Sequence, residues 1–155
     1  VADDVDMDPL YGILSIKGAF TAFDKVDEME FKNPNLRTVE INQTKNNDYF
    51  SGTVERMITG DNFTVVYYSY TGVEEGQEVR IAGLRAFSNG EELTRTSLHT
   101  LGVKTELAGQ YNVYANLDTT QPFNIELQAY PEFAERRQYA DKNTDPLVFE
   151  FDRLD

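Results

Sequence analysis

Residues 49–70 read YFSGTVERMITGDNFTVVYYSY. Phe50, Val54 and Ile58 fall on one side of an extended segment, with Ser51, Thr53 and Glu55 on the other. That is the period-2 pattern of a half-buried strand. Gly60 and Asp61 supply a compact turn. Residues 62–70 follow, rich in β-branched and aromatic side chains on both faces, as a central strand requires. The two halves form a β-hairpin.

The same alternation runs outward in both directions. Upstream, residues 36–42 place Val39 and Ile41 inward, and residues 45–48 read as a polar loop. Asn33-Pro34-Asn35 is a turn signal. Residues 10–17 set Leu10, Leu14 and Ile16 on one face and Ser15 and Lys17 on the other, before Gly18 breaks the run. Residues 1–9, VADDVDMDP, carry four aspartates and no core-forming period, so they read as an acidic tail or linker. Downstream, residues 78–86 start with Val79 and Ile81 inward and shift phase near Gly83, which predicts a bulge. Asn89-Gly90 marks another turn. Residues 109–117 put Tyr111, Val113, Ala115 and Leu117 in step, with Gln110, Asn112 and Asn116 opposite. Phe123, Ile125, Leu127 and Ala129 repeat the plan, and Leu147, Phe149 and Phe151 close it. Pro131 suits the first position of one short helix over residues 132–140. Eight or nine short strands joined by uneven turns predict an all-β chain: a single antiparallel β-sandwich domain over residues 10–155.

Within this pattern, Leu107-Ala108-Gly109-Gln110-Tyr111-Asn112-Val113 resembles the G-x-Y-x-V lead-in to a late strand of immunoglobulin-like domains. In those domains the tyrosine hydroxyl bonds back to the main chain at a corner between the sheets. Residues 75–81, EGQEVRI, similarly resemble the G-x-x-V-x-I opening of a middle strand in bacterial surface domains of this kind. The resemblance implies an immunoglobulin-like sandwich. The chain lacks the cysteine pair and core tryptophan of antibody domains, having neither residue type.

Composition narrows the partners. There are 27 Asp and Glu against 14 Lys and Arg, a formal charge of −13. Phosphate backbones and anionic membrane surfaces are repelled by such a chain, so neither nucleic acid nor a membrane surface is an expected partner. No apolar run is long enough to cross a bilayer. Without cysteine, stability rests on burial alone, unlike the disulfide-bridged secreted modules of vertebrates. The chain begins at Val1 rather than at a methionine, and the expectation is a processed product working outside the cytoplasm.

Candidate chemistry is sparse. The only histidine, His99, cannot supply a multi-histidine zinc site and has no nucleophile beside it in sequence. There is no Gly-x-Ser-x-Gly elbow and no phosphate-binding glycine loop. Acidic residues are too abundant for any carboxylate pair to be informative. No enzyme is expected, and no cofactor is required. Asp141, Asn143 and Asp145 place oxygen donors at alternate positions ahead of a strand, the spacing with which a loop curls around calcium. The competing reading is an ordinary Asx-turn loop. Pro146 stands where an EF-hand needs glycine, which rules that motif out. Asn42-Gln43-Thr44 and Asn62-Phe63-Thr64 fit the N-glycosylation pattern, Asn62 at the mouth of the hairpin being the more accessible. Tyr67, Tyr68 and Tyr70 invite a sugar-stacking reading, against which stand packing in the sheet and the absence of tryptophan.

The two ends carry the most suggestive pattern. Leu10, Leu14 and Ile16 make a strand behind an acidic tail, and residues 147–154 are a second terminal strand. Either can pair within its own sheet or add to the edge of a neighbouring copy. The expected function is therefore a non-catalytic extracellular or cell-surface domain, structural or adhesive. It would be a self-assembling filament or surface-layer subunit whose partners are copies of itself or other surface proteins. Alternatives are a calcium- or carbohydrate-binding sandwich module and a virion tail or capsid-decoration domain.

Overall fold

A computed structural model of the chain describes residues 36–74, 79–103, 107–130 and 142–154. Among them the secondary structure is entirely β: β1 (Arg37–Asn46), β2 (Phe50–Thr59), β3 (Thr64–Gly72), β4 (Arg80–Ser88), β5 (Glu91–Glu92), β6 (Arg95–Thr96), β7 (Tyr111–Tyr114), β8 (Phe123–Tyr130) and β9 (Leu147–Phe151). They form two antiparallel sheets, one in the order β1-β2-β3-β7-β6 and the other in the order β5-β4-β8-β9. The chain is a β-sandwich. The acidic tail, the strand expected at residues 10–17 and the helix expected at residues 132–140 lie outside the described residues.

The hairpin forms where alternation places it, with β2 and β3 paired from Phe50↔Gly72 to Thr59↔Thr64. Its faces differ from the simple pattern. A register shift between Val54 and Arg56 gives β2 one extra residue. A bulge of this kind turns the side chains beyond it by one position. Phe50, Val54 and Met57 therefore enter the core between the sheets, and Ile58 faces out instead of lining up with them. β1 carries a second bulge between Glu40 and Gln43, within which Asn42 adopts a φ of 50°. The strand then continues through Lys45 and Asn46, which the polar sequence there had suggested to be loop. Gly83 marks the third shift, between Ile81 and Gly83, as its break in phase predicts. Asn89 and Gly90, at φ 54° and 79°, make the two-residue turn that joins Ser88 to Glu91. Both positions need positive φ, which is why Asn-Gly suits this turn.

The core between the sheets is built from Phe50, Val54, Met57, Val66 and Tyr114 on one side and Leu84, Ile125, Leu127, Leu147 and Phe149 on the other. Burying each large apolar side chain contributes about 1.5–3 kcal/mol. Gly52 belongs here for want of room: a Cβ on it would meet the side chain of Leu127 at 2.8 Å and that of Leu147 at 3.0 Å.

The first sheet is covered on its other face too. Ile58, Phe63, Val65, Tyr67 and Val113 pack with Leu36, Leu98, Val103 and Leu107 in a second cluster. This covering sets the orientation of β7. Tyr111 and Val113 are indeed in step, but they join the second cluster, while Asn112 and Tyr114 point between the sheets. The strand ends at Tyr114, so Ala115 and Leu117 lie beyond it. The Tyr111 hydroxyl accepts a hydrogen bond from the Leu107 main-chain N–H at 3.4 Å, the back-bond that the immunoglobulin-like motif implies.

Tyr67 is the most constrained titratable group of the second cluster. Its ring lies 4.3 Å beneath the guanidinium of Arg56 and 5.7 Å from the Tyr111 ring. Its hydroxyl is buried and finds no hydrogen-bond partner among the described residues. Burial pushes its pKa up from 10.0 to about 12, with the nearby Arg56 charge opposing the rise. The unfolded chain therefore releases this proton at a lower pH than the folded one, and the stability present below pH 10 is lost as pH rises towards 12. The expected loss for this group is on the order of 2–3 kcal/mol. Melting followed against pH, together with tyrosinate absorbance, checks it. Tyr67→Phe should flatten the alkaline slope, and an unchanged slope would contradict the assignment.

Candidate functional site: the sheet edges

In a sandwich the main-chain groups open to another chain lie at the sheet edges. Four edges bound the two sheets: β1 and β6 on the first, β5 with the rest of β4, and β9, on the second. β6 and β5 are two residues long, too short to template a partner strand.

β4 runs well past β5 and would expose its main chain, but two side chains from the opposite sheet stopper it. The Leu84 carbonyl accepts hydrogen bonds from Asn112 Nδ2 and from the Tyr114 hydroxyl, both at 3.0 Å, and Asn112 also donates to Tyr114 at 3.1 Å. Asn112 is buried for this reason, although it is a polar residue in a strand. One step along, the Ala86 carbonyl accepts from Leu93 N–H at 2.8 Å. Beside the stopper lies a groove of about 620 Å³ lined in part by Arg85, Glu92, Arg95 and Tyr114. Arg85 spends its charge on Glu92 through two hydrogen bonds of 3.1 and 2.7 Å, holding that exposed carboxyl below its usual pKa.

β1 is interrupted by its bulge, and Lys45 beyond the bulge turns towards the second sheet, 6.0 Å from the Phe149 ring. The two ends of β1 are fastened to the segments flanking β9. Arg37 donates to the Leu154 carbonyl at 3.1 Å, and Asn47 donates to the Asp145 carbonyl at 2.6 Å. Between these latches β9 runs in uninterrupted register with β8, from Phe123↔Phe151 to Leu127↔Leu147. Leu147, Phe149 and Phe151 face the core, and among the described residues β9 pairs with no second strand. Val39 and Ile41, on the core side of β1, are only half-buried. The step between β1 and β9 is thus a regular strand edge beside partly uncovered apolar side chains.

The residues singled out from sequence fall as follows. Leu10, Leu14, Ile16 and Asp141 lie outside the described residues. Asn143 accepts the Asp145 N–H on its side-chain oxygen at 2.9 Å, an Asx turn, and its own N–H donates to Asp48 at 3.3 Å. The Lys142 ammonium beside them pairs with Glu74. The described part of the loop is thus tied into the latch at the start of β9, and among the described residues no group of three or more acidic or histidine side chains is placed to hold a metal ion. Asn42 and Asn62 are both exposed. Their threonines differ: Thr44 meets Thr53 on the exposed surface at 2.8 Å, while Thr64 is buried and donates to the Leu117 carbonyl at 3.3 Å. Tyr67 is buried, and Tyr68 and Tyr70 pack against the main core. His99 is exposed in the turn before Val103.

Sequence reasoning missed the stopper and the latches. Asn112 carried a signal, a polar residue inside an apolar alternation, but its partner Leu84 is distant in the chain and unmarked. No family model, no curated protein and no solved structure matches this chain.

Proposed function

We propose that the chain is a non-catalytic structural or adhesive domain of a cell surface or extracellular assembly, joined to copies of itself or to other surface proteins by strand addition. The observation that supports this reading most directly is the contrast among edges. Of the four edges, β4 is stoppered beyond the two-residue β5, β6 is only two residues long, β1 is bulged, and β9 keeps an unbroken register and is paired on one side among the described residues. Edges left regular beside blocked ones are where an added strand gains main-chain hydrogen bonds. The formal charge of −13 keeps such a domain soluble and turns it away from phosphate-rich partners. Among the described residues no helix is long and apolar enough to cross a membrane.

The 155-residue chain is expected to form polymers on concentration, visible by light scattering and electron microscopy. Removing residues 1–17 should leave it monomeric with its melting temperature nearly unchanged. Monomers from both chains at every concentration would sink the assembly reading.

A further inference from the structure

We infer that Asn89 is a site of self-modification: in water its side-chain amide is lost as ammonia, the main chain there becomes isoaspartate, and β5 is released from β4. The inference concerns the turn between these two strands and holds whether or not the chain assembles. Asparagine is thermolabile because the main-chain nitrogen of the next residue can attack its side-chain carbonyl. Glycine in that next position hinders the approach least, having no Cβ. Of the chain's asparagines only Asn89 precedes a glycine. The structure leaves both reacting groups unengaged. Asn89 and Gly90 are exposed at the tip of the turn, with open space around Gly90. Neither the Asn89 amide nor the Gly90 N–H is hydrogen-bonded among the described residues. Other asparagines are held: Asn47 accepts from the Tyr49 and Phe50 N–H groups, Asn143 accepts from Asp145, and Asn112 is buried with its amide on the Leu84 carbonyl.

The reaction balances with water as the only co-reactant. The Gly90 nitrogen gives up its proton and bonds to Asn89 Cγ, the Cγ–Nδ2 bond breaks, and ammonia leaves behind a five-membered succinimide. Water then opens the ring. Opening at Cγ gives aspartate in the original chain, and opening at the Asn89 main-chain carbonyl gives isoaspartate, whose chain runs through Cβ and Cγ. Either product adds one negative charge to the formal −13. Closing the ring needs another main-chain conformation at Asn89 than the turn provides, so the turn must open first. Opening is cheap where few contacts hold a segment. β5 is two residues long and held to β4 by the pairs Phe87↔Glu92 and Ser88↔Glu91, the Leu93 N–H on the Ala86 carbonyl, and the exposed Arg85–Glu92 ion pair. A two-residue turn also sets the register of its strands. Isoaspartate adds a methylene to the main chain of that turn, which draws Leu93 away from Ala86 and Glu92 away from Arg85.

The test is to incubate the folded chain in mildly alkaline buffer and follow it by ion exchange and by peptide mapping that separates isoaspartate from aspartate. An acidic species should accumulate, modified at Asn89 ahead of every other asparagine, with isoaspartate the main product. Asn89→Gly, which suits the same turn, should form no such species. Freshly prepared Asn89→Asp carries the added charge without the added methylene and serves as the second control. By amide hydrogen exchange, the Leu93 N–H should lose about tenfold of its protection in the isoaspartate form, the worth of one hydrogen bond. In Asn89→Asp it should keep that protection. Asn89 left intact while other asparagines react, or converted to aspartate alone, would overturn the assignment of the site. An isoaspartate chain whose Leu93 amide stays protected would overturn the release of β5.

Discussion

Replacing Phe149 by alanine is expected to lower the free energy of unfolding by about 3–5 kcal/mol. Phe149 is the middle residue of β9, fully buried, and stands opposite Ile125 of β8. Its removal forfeits the transfer energy of an aromatic side chain and opens a cavity among Leu147, Phe151 and the facing residues of the first sheet. A domain of ordinary stability holds about 5–15 kcal/mol in total, so the loss is a large fraction of it. Urea denaturation should show the midpoint falling with the slope unchanged. Val148→Ala, on the half-exposed outer face of the same strand, should cost about 1 kcal/mol or less. If the two substitutions cost the same, β9 is not packed as described, and its edge could not be the stable platform that an incoming strand needs.

The second large effect belongs to the stopper on β4. Tyr114→Phe and Asn112→Ala each leave the Leu84 carbonyl with one donor, and each should cost about 0.5–1.5 kcal/mol in lost hydrogen bonding, with a small packing loss added at Asn112. Together they leave a buried carbonyl without a partner, which carries a further penalty of about 1–3 kcal/mol. The double variant should therefore lose more than the sum of the singles, a coupling well above the ~0.5 kcal/mol expected of independent sites. A double-mutant cycle by chemical denaturation measures it. Simple additivity would show that the two side chains do not share the carbonyl. The double variant also unblocks the edge of β4, so increased aggregation with the same denatured-state behaviour is the accompanying expectation.

How far the sequence could be read is clearest in β2 and β7. In β2 the strand and its turn were legible because alternation and turn chemistry are local. The face of Ile58 was not, because a bulge at Glu55 slips the pattern by one and leaves no composition signal. In β7 the alternation of Tyr111 and Val113 is legible in the sequence, but not which face of the sheet they take. A sheet covered on both faces gives apolar and polar positions no unique inside, so Asn112 could enter the core once a buried acceptor awaited it. Nothing local marks Thr64 as buried with its hydroxyl on the Leu117 carbonyl.

What the sequence determined by itself is the all-β sandwich, its hairpin, the Asn89-Gly90 turn, the bulge near Gly83 and the back-bond at Tyr111. Each depends on a period of two, on a residue that tolerates positive φ, or on partners a few residues apart. Only the tertiary structure decided which edges are shut and which is left regular. Strand order joins β9 to β8 and sets β1 beside it from the far end of the chain, and the Leu84 carbonyl meets donors about thirty residues away. Edge exposure is a property of that long-range order, and no local pattern in the chain encodes it.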